Sequence, residues 1–109
     1  MVNITIYGNS GQGYTAFECM GHAGYAEAGE DIVCAAISVL VINTVNSIEQ
    51  FTGDKFDLVQ DQESGLIGFS LQNGASQESL LLMRSLVLGL QGIQANYKND
   101  YMTLTFKEV

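Results

Sequence analysis

The sequence predicts an α+β domain: a mainly antiparallel sheet of about five strands, in the order ββαββαβ, with two helices packed on it. Three observations carry this. Short alternating segments come in pairs, joined by turns of Gly, Asn, Asp and Ser. Two longer apolar stretches, Ile32–Phe51 and Gln77–Tyr97, have the length and spacing of helices. The chain has 109 residues, of which 47% are hydrophobic, enough for one core without metal or disulfide staples.

Residues 2–7 alternate, with Val2, Ile4 and Ile6 on one face and Asn3, Thr5 and Tyr7 on the other. A turn over 8–13 leads to a second strand over 14–21, so the chain opens with a hairpin. On that strand Phe17 and Cys19 share a face, while Met20 and His22 share the opposite one. Cys19 therefore reads as core packing, turned away from His22. Residues 23–30 form a small, acidic loop with Tyr25 as its one large side chain. The first helix follows over 32–51, apolar nearly all round, which predicts cover on more than one side. Residues 55–61 and Leu66–Leu71 make a second hairpin, and the second of these strands reads as central because it is apolar on both faces. The second helix carries more apolar surface than one packing stripe, with Gly89 and Gly92 allowing close approach. That surplus predicts a subunit contact, a symmetric homodimer. A last strand over 101–106 turns Met102, Leu104 and Phe106 inward. No linker, repeat or low-complexity tract divides residues 1–109, so they form a single domain.

The chemistry concentrates in residues 21–38. His22, the one histidine in the chain, ends a strand. A loop punctuated by Gly24 and Gly29 follows, and Asp31 stands as the helix N-cap. Cys34 then falls at the third helical position. The partial positive charge of a helix start favours a thiolate there, and free N–H groups can hold an oxyanion. An imidazole within reach would take the thiol proton and return it to a leaving group. Ser38 lies one turn below Cys34 and either reaches the thiol's neighbourhood or bonds back to the helix. Against this stands the ordinary role of cysteine, which is packing.

Gly21-His22-Ala23, followed by Gly29-Glu30-Asp31-Ile32-Val33-Cys34-Ala35-Ala36 and Ser38, resembles the signature of the bacterial ribosomal-processing cysteine proteases. The similarity runs over essentially the whole chain. It implies a cysteine endopeptidase that removes the N-terminal extension of a large-subunit ribosomal protein. It also implies that His22 and Cys34 are the catalytic pair, and that the domain is a cysteine-protease domain. The loop with Gly24, Tyr25 and Gly29 is then a lid over bound peptide. By the same resemblance the cut falls after an aromatic residue, so an apolar pocket should adjoin Cys34. Asp31 either caps the helix or orients His22.

Composition bounds the partners. A net charge of −8, with Lys55, Arg84, Lys98 and Lys107 as the basic residues, argues against direct nucleic acid binding and suits a basic protein substrate. No signal peptide is visible in residues 1–7, and the apolar run over 32–42 is short for a membrane span, so the expectation is a cytoplasmic protein without a membrane role. There is no zinc-type spacing of His and Cys, hence no metal, and nothing points to a cofactor. Two other functions fit the same residues. One is a non-enzymatic ribosome-assembly binding module, with Cys34 inert. The other is a redox-sensing thiol, weakened because Cys19, facing away, leaves Cys34 without a resolving partner.

Overall fold

The alternating segments form strands β1 (Val2–Asn9), β2 (Gly13–Met20), β3 (Phe56–Asp61), β4 (Leu66–Leu71) and β5 (Met102–Glu108), and the apolar stretches form helices α1 (Ala28–Phe51) and α2 (Gln77–Tyr97). The structure is a computed structural model that describes residues 1–21, 28–97 and 101–109, with 28–31 as backbone only.

The strands make one sheet in the order β3-β4-β2-β1-β5. Register decides which side chains share a face. Ile4 stands opposite Cys19 and Ile6 opposite Phe17. Phe17 faces Phe69 across β4, and Phe69 faces Leu58 across β3. This collects Val2, Ile4, Ile6, Phe17, Cys19, Phe69, Leu71 and Met102 into a buried layer under the helices. Phe69 anchors it, with ring centroids 5.2 Å from Phe17 and 5.0 Å from Phe56. The opposite face is polar, as where the Thr103 hydroxyl donates to Asn3 Oδ1 at 2.7 Å.

Three strand pairs are antiparallel, as expected, and β4 is an inner strand. The fourth pair is not antiparallel: β5 runs parallel to β1, from Val2 beside Met102 to Gly8 beside Glu108. The sheet is therefore mixed. The reason is the α2 crossover, which returns the chain to the far edge in the same direction as β1.

The helices differ from expectation in two ways. First, α1 starts at Ala28 rather than after Asp31. Ala28 and Glu30 are good helix formers and acidic residues suit a helix start, which offsets the poor helix propensity of Gly29. Second, α1 is buried along one stripe, Val33, Ile37, Val41, Thr44, Val45 and Ile48, while Ile32, Val39 and Ile42 are exposed. Sheet and α2 cover two sides, and among the described residues no further element lies on the third. The buried Thr44 hydroxyl is satisfied by donating to the Leu40 carbonyl at 2.7 Å. Ile32–Phe51 also has mean hydropathy 1.8 and is long and apolar enough to cross a membrane, contrary to the sequence expectation, but here its buried stripe packs into the core. Gly89 does allow close approach: a Cβ there would lie 2.8 Å from Leu40 Cδ1. Gly92 does not, since nothing lies within 4 Å of the position.

A polar knot joins the far end of α1 to the start of α2. Ser76 caps α2, its hydroxyl accepting from the Ser79 N–H at 3.2 Å. Asp54 reaches across 22 residues, and its Oδ2 accepts from the Ser76 N–H at 2.9 Å and the Ser76 hydroxyl at 2.6 Å. The fully buried Ser79 hydroxyl also donates to that oxygen. Three donors on one carboxylate hold Asp54 below the usual carboxylate range, the Ser76 hydroxyl contributing most.

Candidate active site

Cys34 lies on α1 six residues beyond Ala28, well into the second turn. The unbonded N–H groups of the helix start thus belong to residues 28–31 rather than to Cys34 itself. Asp31 is inside the helix and not its N-cap, and Gly29 is in the first turn rather than in a loop. His22, Gly24 and Tyr25 lie outside the described residues.

The Cys34 side chain is half-buried and opens on a cavity of about 240 Å³. Each wall has a structural origin. Cys34, Ile37 and Ser38 come from one side of α1, at the four-residue spacing that puts Cys34 and Ser38 on the same face. Val2 of β1 and Cys19 of β2 come from the sheet. Gln60, Asp61, Leu66 and Ile67 come from the β3–β4 hairpin. The lining is mostly apolar, as an apolar pocket beside Cys34 requires. Its size also suits a ring, since a cavity of about 150 Å³ admits benzene.

Gly21 lines the same cavity at the end of β2. Its φ is +110°, and a Cβ there would fall 2.4 Å from the Met1 carbonyl oxygen. Glycine is required here by sterics, because the chain leaves the sheet tight against the first residues of β1.

Two things were not legible in the sequence. The first is the hairpin wall. Gln60 pairs with Ile67 and falls on the helix-facing side of β3, in phase with Phe56 and Leu58. A polar residue in the apolar phase of a strand was the available signal. The second concerns Cys19. Alternation does place it on the buried face with Phe17, where it is 6% exposed. That face is also where α1 lies, so Cys19 opens on the same cavity as Cys34 instead of standing apart from it. Burial, then the charge of Cys34, push the Cys19 thiol up to about 11. It is thus a neutral thiol near neutral pH.

A half-buried thiol on a helix, opening on a mostly apolar cleft, is an arrangement suited to a cysteine nucleophile. Residues 1–102 match the family described as cysteine protease Prp, and the chain belongs to that family of cysteine proteases. It is 31% identical over 109 residues to the ribosomal processing cysteine protease Prp of Bacillus subtilis, covering 96% of this chain and 97% of that one. Its fold matches a crystal structure of an essential ribosomal processing protease Prp from Staphylococcus aureus in complex with a substrate peptide. The TM-score is 0.90 at 28% identity, over 98% of this chain and 100% of the other. A second structure of the Staphylococcus aureus protease, with a covalently linked product peptide, matches at TM-score 0.86 and 29% identity over the same shares.

Proposed function

We propose that this protease removes the N-terminal extension of a large-subunit ribosomal protein, with Cys34 as nucleophile and His22 as general base and acid. The observation that carries the proposal is the Cys34 thiol opening on an apolar cavity large enough for an aromatic side chain. The covalent peptide complex of the Staphylococcus aureus relative supports the same chemistry.

In this mechanism the aromatic residue before the scissile bond enters the cavity between α1 and the β3–β4 hairpin. His22 takes the Cys34 proton as the sulfur attacks the carbonyl carbon. The tetrahedral oxyanion collapses, the C–N bond breaks, and His22 protonates the departing amine. Water, giving a proton to His22, then attacks the thioester. The acid product leaves, and the thiol recovers its proton. Ser38 shares the Cys34 face of the cavity.

The net charge of −8 steers a basic ribosomal substrate toward the cleft. Exposed Val39 and Ile42 on α1, with Leu81 and Leu88 on α2, suit a homodimer contact. The protein works in the cytoplasm, where ribosomal proteins are made, and takes no cofactor.

The test is cleavage of a peptide spanning the extension junction, followed by mass spectrometry. Wild type cuts it once. Cys34→Ala loses roughly four orders of magnitude in rate, and His22→Ala loses roughly 10²–10⁴-fold. Full activity in Cys34→Ala overturns the proposal.

A further inference from the structure

The two free thiols open on one cavity. Cys19 projects from β2 on the helix-covered face, and Cys34 lies on the helix that covers it. Val2 and Ile37 line the cavity beside them, so both thiols sit in a largely apolar environment. Cys19 has no place in the hydrolytic steps, yet it lines the cleft with the nucleophile.

We propose that Cys19 and Cys34 form a peroxide-reactive dithiol, in which Cys19 closes a reversible disulfide onto the oxidised nucleophile. The inference rests on Cys34 being the reactive thiol of the protease. Hydrogen peroxide is the oxidant. The Cys34 thiolate attacks one peroxide oxygen, the O–O bond breaks, and Cys34 becomes a sulfenic acid as hydroxide leaves. The Cys19 sulfur then attacks the Cys34 sulfur, the S–O bond breaks, and the Cys19 proton departs with the hydroxyl as water. The balance is two thiols and one peroxide to one disulfide and two waters. A dithiol reductant reverses it by exchange.

The place of Cys19 on the cavity it shares with Cys34 fits the resolving role. Held as a neutral thiol, it does not compete for peroxide or for substrate carbonyls while Cys34 is reduced. Once Cys34 is a sulfenic acid, a second thiol on the same cavity captures it before further peroxide drives it to the irreversible sulfinic acid. The disulfide removes the nucleophile and spans the cleft, so the oxidised enzyme is inactive but recoverable.

The experiment titrates the full wild-type chain with hydrogen peroxide, quenches with an alkylating agent and maps peptides without reduction. The expected result is a cross-linked peptide joining Cys19 to Cys34 within one chain, lighter by two hydrogens than the reduced pair. Cleavage is lost in step and returns with dithiothreitol. Cys19→Ala, normalised to its own starting activity, regains at least about five-fold less, with Cys34 sulfinic acid in its place. Wild-type Cys34 passing to sulfinic acid with no cross-link overturns the proposal, as does a cross-link found solely between chains. Mapping the wild type requires no variant to fold. A cross-link in a protein that never cuts the junction peptide keeps the dithiol and removes the ribosomal substrate; cleavage without a cross-link does the opposite.

Discussion

The two ends of α1 are built on opposite terms. At its C-terminal end, Asp54 gathers the Ser76 N–H and two hydroxyls on a single oxygen, and Ser79 is sealed without access to solvent. Three donors converge there on one carboxylate oxygen. At the N-terminal end, α1 leaves the sheet and the β3–β4 hairpin apart by a cavity of about 240 Å³, with a half-buried thiol on its wall. Packing capacity there is left open. A polar knot resists change because each group is already satisfied. An unfilled apolar cleft gains free energy when a ligand enters it. One helix thus carries both the clamp that steadies the fold and the gap that receives the substrate.

Substitutions at the two ends should separate these roles. The largest effect is expected at the cleft, from Gly21→Ala. The positive φ and the close Met1 carbonyl cannot both be relieved by a side-chain movement. The expected cost is roughly 3 kcal/mol of stability. Cleavage should fall as well, because Gly21 lines the cavity. A Gly21→Ala protein with unchanged melting temperature would show that the strand end is not under this constraint. Next comes Ser79→Ala in the knot. It removes one donor to Asp54 and should cost about 1 kcal/mol, seen as a drop of roughly 4–8 °C in Tm. Cleavage of the junction peptide at 25 °C should stay as in wild type, because the cleft is at the other end of the helix. Lost activity with unchanged Tm would join the two ends and break the comparison.

The smallest effect is a pH dependence. Asp54 is held below its unfolded value by its three donors. Its contribution to stability is therefore complete above the unfolded carboxylate range, near pH 4. It is lost as pH falls through the lower, folded value. Asp54→Asn should flatten the acid limb of a Tm-against-pH curve below about pH 4 and leave the shape near neutrality alone. An unaltered acid limb would remove Asp54 from the acid response.

Much of the frame was legible because it depends on short-range pattern. The Leu66–Leu71 strand and the Gln77–Tyr97 helix fall where alternation and helical spacing put them. The inner position of β4 followed from its two apolar faces. What failed depends on distant partners. Hairpin logic pairs neighbours in sequence, so it had no means of seeing β5 return beside β1. The start of α1 was misplaced because an acidic residue before an apolar run marks a cap and a first turn equally well. Cys19 was placed on the right face, but the side of the sheet that α1 would cover was not part of that pattern. The Asp54–Ser76–Ser79 knot spans more than 20 residues and needs two elements already in place. In the motif, Cys34 is brought onto the cleft with Ser38, whereas His22 lies outside the described residues.

The parallel pairing of β1 with β5 has a consequence for the order of folding. Val2, which lines the cleft, donates its N–H to the Tyr101 carbonyl at 3.0 Å, and its strand is flanked by Met102 onward. The first wall of the cleft is thus secured by a segment 100 residues later in the chain, Val2 pairing with Met102. Such a contact has high sequence separation and forms late. A nascent chain holding β1 to α2 has the thiol and most of the core, but β1 is an open edge. Completing the cleft therefore waits on β5, and until that strand pairs, the Val2 wall of the cleft is an exposed strand edge.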